Sequence, residues 1–186
     1  MNYNEKYDLI RQAVIENKST DPVEIAKSVM KKDFVSIHGP EHHFLDGAAF
    51  IVAYKNAGGD INVPACLDEL AKRAEQMPGA MCGYWGVCGA AASVGAALSI
   101  IHGTGPLSSD EFYKDNMRYT SSVLSEMSKT GGARCCKRHA FTSLLLGAKF
   151  VKDKYGIDMQ VRPFRCEFSE LNKQCKKQDC PYYGNK

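Results

Sequence analysis

The strongest constraint on how this chain folds is the stretch MPGAMCGYWGVCGAAASVGAALSIIHGTGPLSS, Met77 to Ser109, which carries no Asp, Glu, Lys or Arg. So long an uncharged segment belongs inside a protein. Its second half has a helical rhythm, with Val87, Ala91, Val94, Leu98 and Ile101 recurring at helix spacing. Gly89, Ala90, Ala92, Gly95 and Ala96 fill the other faces with small residues, so neighbouring helices can approach closely on several sides. A membrane span is the rival reading. It is the weaker one, because Gly, Ser and His are frequent, no basic flank adjoins the stretch, and a span needs about 20 predominantly apolar residues. Residues 86 to 102 are therefore expected to form the most buried helix of the protein. The first half is a glycine-broken loop that places the thiols of Cys82 and Cys88 at the entrance to that helix.

At 186 residues the chain is long enough for one well-cored domain, and no Pro- or Ser-rich linker divides it. The N-terminus, MNYNEKYD, has no basic region before an apolar run, so no signal peptide is expected and the cytoplasm is the expected compartment. There, eight cysteines read as ligands or reactive thiols rather than disulfides. A formal net charge of +3 is too modest to argue for nucleic acid.

Helical patterns run through most of the remainder. Tyr7, Ile10 and Val14 share one face of a first helix, and Asp21-Pro22-Val23-Glu24 starts a second with an N-cap, a first-turn proline and a capping-box acid. Pro64 to Gln76 forms another helix, with Cys66 in its first turn as a packing residue, and Ser108-Ser109-Asp110-Glu111 caps a long one ending at Gly131-Gly132. The expected fold is all-α, a single domain of roughly six or seven helices. It divides into an N-terminal helical hairpin over 1–33, a core over 34–156 that holds the Cys and His blocks, and an irregular cysteine-rich tail over 157–186.

Three helix starts carry chemistry. His38-Gly39-Pro40-Glu41-His42-His43 opens an apolar helix, and Glu41 or His42 suits a proton shuttle. Cys82 and Cys88 lead into the central helix. Cys135 and Cys136 open a later one, flanked by Arg134, Lys137 and Arg138, with His139 one turn on. Thiols in a helix's first turn beside three cations are expected to be unusually acidic. The candidate catalytic residues are thus Cys82, Cys88, Cys135, Glu41 and His42, with Arg134, Lys137 and Arg138 holding an anionic substrate group. If the three starts gather at one end of the domain, they make a single positive pocket.

The tail reads Cys166-x8-Cys175-x4-Cys180-Pro181. Three cysteines in a segment without hydrophobic periodicity need a metal or cluster to order them, and a proline after the last one is also found in the ferredoxin ligand run. The spacing fits no zinc-finger pattern, so a fourth ligand is sought in the body. Cys136, Cys166, Cys175 and Cys180 are the candidate metal ligands, with an iron–sulfur cluster, most simply 4Fe-4S, as the cofactor and zinc as the alternative.

The blocks HGPEHH, CGYWGVCGAA, GGARCCKR and the C-x8-C-x4-CP tail together resemble an uncharacterised cysteine-rich domain family of anaerobic bacteria and archaea. That family occurs alone or attached to radical-SAM or methyltransferase-like proteins, and the resemblance covers roughly residues 35 to 183. It implies a shared metal or redox chemistry. CGAAASVGAALSII is also similar to the Gly- and Ala-rich core of iron–sulfur serine dehydratases and cysteine desulfidases. The leading expectation is an iron–sulfur lyase or sulfur transferase with reactive cysteines, acting on a small anionic or sulfur-containing substrate. The rival is a non-catalytic metal- or cluster-binding module serving a radical-SAM or methyltransferase-like partner. Dithiol exchange between Cys82/Cys88 and Cys135/Cys136 is a third, although neither pair has C-x-x-C spacing.

Overall fold

The computed structural model describes residues 3–184; the two residues at each end of the chain lie outside that range. Eight α-helices follow in order: α1 (Tyr3–Ile15), α2 (Pro22–Met30), α3 (His42–Asn56), α4 (Val63–Glu75), α5 (Met81–Tyr84), α6 (Gly89–Ile101), α7 (Glu111–Thr130) and α8 (Cys136–Tyr155). No strand occurs among the described residues, so the fold is all-α. None of the helices is long and apolar enough to cross a membrane.

Local chemistry explains most helix ends. The Asp21 carboxylate accepts N–H bonds from Val23 and Glu24 and so caps α2, Asn62 caps α4 through Ala65, and Asp110 caps α7 through Tyr113. Gly131 and Gly156 end α7 and α8 with φ of 67° and 72°, a region that residues with a side chain rarely adopt. The helix beyond the expected count is α5, a single turn inside what reads from sequence as a glycine-broken loop.

The central position belongs to α3, which corrects the expectation for residues 86–102. Every residue of α3 from His42 to Tyr54 is buried, whereas α6 leaves Ala92, Ala96 and Ile100 partly exposed. The reason is topological: α3 packs against α1, α2, α4, α6 and α8, while α6 packs against α3, α4, α7 and α8. A helix made of small residues is a good neighbour, but it need not be the innermost one.

The α3–α6 contact is very close. Gly47 donates its backbone N–H to Ser93 Oγ at 2.8 Å, and a Cβ on Gly47 would sit 2.7 Å from the Ser93 carbonyl oxygen. On the far side, a Cβ on Gly147 of α8 would meet the Phe50 ring at 2.7 Å. A buried polar bridge then ties α7, α8 and α6. Tyr119 Oη lies 2.7 Å from Ser143 Oγ, and Ser143 Oγ donates to the Ala90 carbonyl at 2.8 Å. These bonds leave the buried hydroxyls satisfied, which a core needs.

After α8 the chain runs without regular structure apart from a 3₁₀ turn at Lys177–Asp179. It is nonetheless anchored. Phe164 stacks on Tyr182 with centroids 5.5 Å apart, both rings meet Phe141 of α8 edge-on, and Arg162 N–H reaches Asp21 Oδ2 at 2.9 Å. The hydrophobic core therefore extends continuously from Tyr7 to Tyr182.

Because the α3–α6 approach leaves no room for a methyl group, Gly47→Ala is expected to cost about 1–3 kcal/mol. Gly83, with nothing within 4 Å of its would-be Cβ, is the control, and Gly83→Ala is expected to be near neutral. Urea titration checks this: the Gly47→Ala midpoint drops with an unchanged slope, and equal midpoints for the two variants would refute the close-contact account.

Candidate functional site

The starts of α3, α6 and α8 meet at one end of the protein, around a cavity of about 330 Å³. Its walls include Cys82, Cys88, Cys135 and Cys136, with His38, His42, His43, His139, Asp46 and Arg134. A neighbouring hollow of about 280 Å³ shares Cys82, Cys88, Arg134 and His139, so those four residues stand between the two.

Cys88 occupies the N-cap position of α6, and its Sγ lies 3.1 Å from His139 Nδ1. Nothing in the sequence pairs these residues; the α6–α8 packing does. Burial pushes the Cys88 thiol up to about 12, against the downward pull of the Ala90 and Ala91 amides, and burial together with the Arg138 charge lowers His139 to about 4. The pair therefore rests as neutral thiol and neutral imidazole. Cys136 behaves alike: burial raises it to about 11, although the Gly39 amide and Arg134 oppose the rise. Burial raises Cys135 too. The expectation of acidic thiols in this block is thus overturned, because desolvation in the packed end of the domain outweighs helix-end dipoles and nearby cations.

Asp46, one turn into α3, has no solvent exposure, and neither carboxylate oxygen has a hydrogen-bond partner. His42 Nδ1 lies 3.6 Å from Oδ1, beyond hydrogen-bond length. His42 Nε2 is in turn 3.0 Å from Lys137 Nζ, which also donates to the Ser36 carbonyl at 2.9 Å. Lys137, 1% exposed, is lowered to about 8 by burial, with Asp46 and Cys136 pulling it back up. A chain of titratable groups therefore runs from Lys137 through His42 to Asp46 at the cavity wall. His43 faces the cavity from the next position. Its Nδ1 must donate to the Met77 carbonyl, 3.2 Å away, which leaves Nε2 as a lone pair beside Gly89, where no side chain would fit.

The cavity gathers only part of the expected set. Cys82, Cys88, Cys135, Cys136, His42 and Arg134 line it. Glu41 does not: its carboxylate turns away to accept Ser36 N–H at 2.8 Å and Lys6 Nζ at 3.1 Å. Although burial acts against it, the amides of Glu41 itself and Ser36 and the Lys6 ammonium hold Glu41 down at about 2, an ionised clasp for the loop before α3. Lys137 is sealed behind His42. Arg138, also buried, spends Nη2 on the carbonyls of Gly131 and Ala133, at 2.8 and 3.0 Å. Of the three cations placed against an anionic group, only Arg134 reaches the cavity. Cys166, Cys175 and Cys180 lie outside it, in the tail packed on the other side of the α8 start.

Sequence reasoning passed over Asp46, His43 and the Cys88–His139 pair. Asp46 did leave a signal, as the only acid inside an otherwise apolar helix and one turn after His42. The Cys88–His139 contact spans 51 positions and left none.

Among the described residues, no group of three or more His, Cys, Asp or Glu side chains is arranged to hold a metal ion. A pH test follows from the shifts. A thiol raised from 9 to about 12 stabilises the fold below pH 9 and loses that contribution as pH rises from 9 toward 12. An imidazole lowered from 6.5 to about 4 stabilises above 6.5 and loses that contribution as pH falls toward 4. Alkylation of Cys88 and Cys136 by iodoacetamide in the reduced, metal-free native protein is accordingly expected to keep accelerating beyond pH 9. A rate that levels off near neutral pH, read by mass spectrometry, would contradict the neutral-thiol assignment.

No curated protein and no solved structure matches the chain. A family model described as a family of unknown function, DUF5714, matches residues 10–183, which spans α3, the cavity, α8 and the cysteine-rich tail. The chain is a member of that family of unknown function, DUF5714.

Proposed function

We propose that the protein is an iron–sulfur enzyme whose reactive cysteines transfer sulfur to or from a small anionic, sulfur-containing substrate, with elimination of sulfide as the related lyase reaction. One observation supports the reading: Cys82, Cys88 and Cys136 share a single cavity with His43, His139, Asp46 and Arg134. The volume of about 330 Å³ suits a metabolite-sized substrate. Arg134 at the wall takes the anionic group. Cys88 Sγ attacks the outer sulfur of a persulfide R–S–SH; the S–S bond breaks, R–S leaves, and Cys88 carries the transferred sulfur as Cys88–S–SH. The proton lost by Cys88 passes through His139 Nδ1 to the departing sulfur, giving R–SH, so atoms and electrons balance without an outside oxidant. Cys82 or Cys136 is then the acceptor thiol, and the Lys137–His42–Asp46 chain holds or moves a proton at the cavity floor. A cluster would be held by the tail cysteines together with one from the start of α8, and would supply redox or structural support there.

A different observation favours a second reading. Tyr84 and Trp85 are 85% and 65% exposed beside cavity-lining Cys82, an aromatic pair of the kind that anchors protein contacts. The protein would then be an accessory module for a radical-SAM or methyltransferase-like partner.

Mass spectrometry separates the two. After anaerobic incubation with glutathione persulfide and alkylation, the wild-type protein is expected to carry one extra sulfur on Cys88. His139→Ala should lower that yield by about 10²–10⁴-fold if it handles the proton. Sulfur on no cavity cysteine would overturn the enzyme reading.

A further inference from the structure

We infer that the fourth ligand completing the tail's metal site is Cys135, and that Cys135, Cys166, Cys175 and Cys180 together hold an iron–sulfur cluster beside the cavity, whose wall Cys135 also lines. The inference rests on the proposal that the chain carries such a cluster, and it names the ligands.

The two cysteines that open α8 both line the cavity but have different partners. Cys136 Sγ looks toward Gly39 and the charge of Asp46, in the cavity. Cys135, at the N-cap with extended backbone, takes N–H bonds on Sγ from Arg138 and from Asn172 Nδ2 of the tail, both at 3.4 Å. Asn172 is itself fixed, because its Oδ1 meets His38 Nε2 at 3.0 Å and the Gln174 amide at 2.9 Å.

The tail repeats one device. Phe168 N–H points at Cys166 Sγ and Lys177 N–H at Cys175 Sγ, each two residues on and each at 3.4 Å. Lys177 also takes a φ of 48°, a left-handed conformation that a residue with a Cβ rarely adopts. An amide directed at a neutral thiol contributes little, whereas one directed at a thiolate is a charge-assisted bond that also tunes a cluster. Cys166 N–H bonds the Tyr182 carbonyl at 2.8 Å, which folds the first tail cysteine back onto the last, and Cys180 is 7% exposed. Cys166 lies within the electrostatic reach of Cys135, Cys175 and Cys180.

Among the described residues no three such side chains are arranged to hold a single metal ion. Thiolates bound to one zinc at 2.3 Å stand roughly 3.8 Å apart. A four-iron cluster offers each thiolate its own iron and so accepts a broader tetrahedron of sulfurs. Four protein ligands would leave no open iron, and bond making would fall to the cavity thiols on the other side of the Cys135–Cys136 peptide bond.

The test is anaerobic reconstitution of the full chain with ferrous iron and sulfide, followed by iron, acid-labile sulfide and visible absorbance measurements. Cys135→Ser, Cys166→Ser, Cys175→Ser and Cys180→Ser should each lower cluster content about tenfold or more, while Cys136→Ser and Cys66→Ser retain the wild-type value. A measurement without variants guards against misfolding: in the reconstituted wild type, the same four cysteines should resist alkylation while Cys136 and Cys88 remain open to it. A cluster that protects Cys136 in place of Cys135 overturns the ligand assignment and leaves the iron–sulfur proposal standing. Wild-type protein that takes up no iron and sulfide, or holds zinc on these four thiols instead, overturns both.

Discussion

The near-contact of α3 with α6 is the constraint on which the rest of this structure depends. Gly47 and Ser93 bring the two backbones together through an N–H to Oγ bond and through the lack of a Cβ. Both helices begin at the same end of the domain, so their close packing seats His43 against Gly89 and sets Asp46 into the wall shared with Cys88. α8 is added by the same rule, with Gly147 giving way to Phe50. Only then can His139 meet Cys88. A bulkier residue at any of these glycines would separate the helix axes and pull the cavity's two halves apart.

Having gathered several helix starts, the fold also removes water from them, and the two effects compete. Helix N-termini and neighbouring cations favour thiolates. Burial disfavours any charge, and here it wins at Cys88 and Cys136, which rise, and at His139 and Lys137, which fall. Cys88, Cys136 and His139 are thus held in their neutral forms, beside one buried carboxyl group without a hydrogen bond, at Asp46. Such a group costs stability unless it meets a charge or a proton donor. It lies in the same cavity wall as four thiols.

The tail shows how an irregular segment acquires a definite position. It has no helical periodicity to bury, so its order comes from discrete anchors: Phe164 and Tyr182 against Phe141, the Arg162 amide on Asp21, and Lys27 and Lys31 on Glu167 at 2.5 Å each. These hold the chain, yet none dictates where Cys166, Cys175 and Cys180 point. For Cys166 and Cys175 the amides of Phe168 and Lys177, each 3.4 Å from the sulfur, add a local contact.

The sequence by itself determined the all-α class and the approximate course of seven of the eight described helices. Caps such as Asp21 and Asp110, a stop such as Gly131, and apolar periodicity act within a few residues, so they are legible along the chain. Tertiary structure alone decided that α3 and not α6 lies innermost, because burial depends on how many neighbours surround a helix rather than on its own composition. It also decided that Glu41 clasps a loop while Asp46 lines the cavity, that Lys137 and Arg138 are sealed inside, and that Cys135 and Cys136 part company at the start of α8. Adjacent residues in an opening turn project in different directions, and which of them meets the tail is fixed by helices distant in sequence. The protonation of the thiols belongs to the same class, since desolvation is a property of the packed whole.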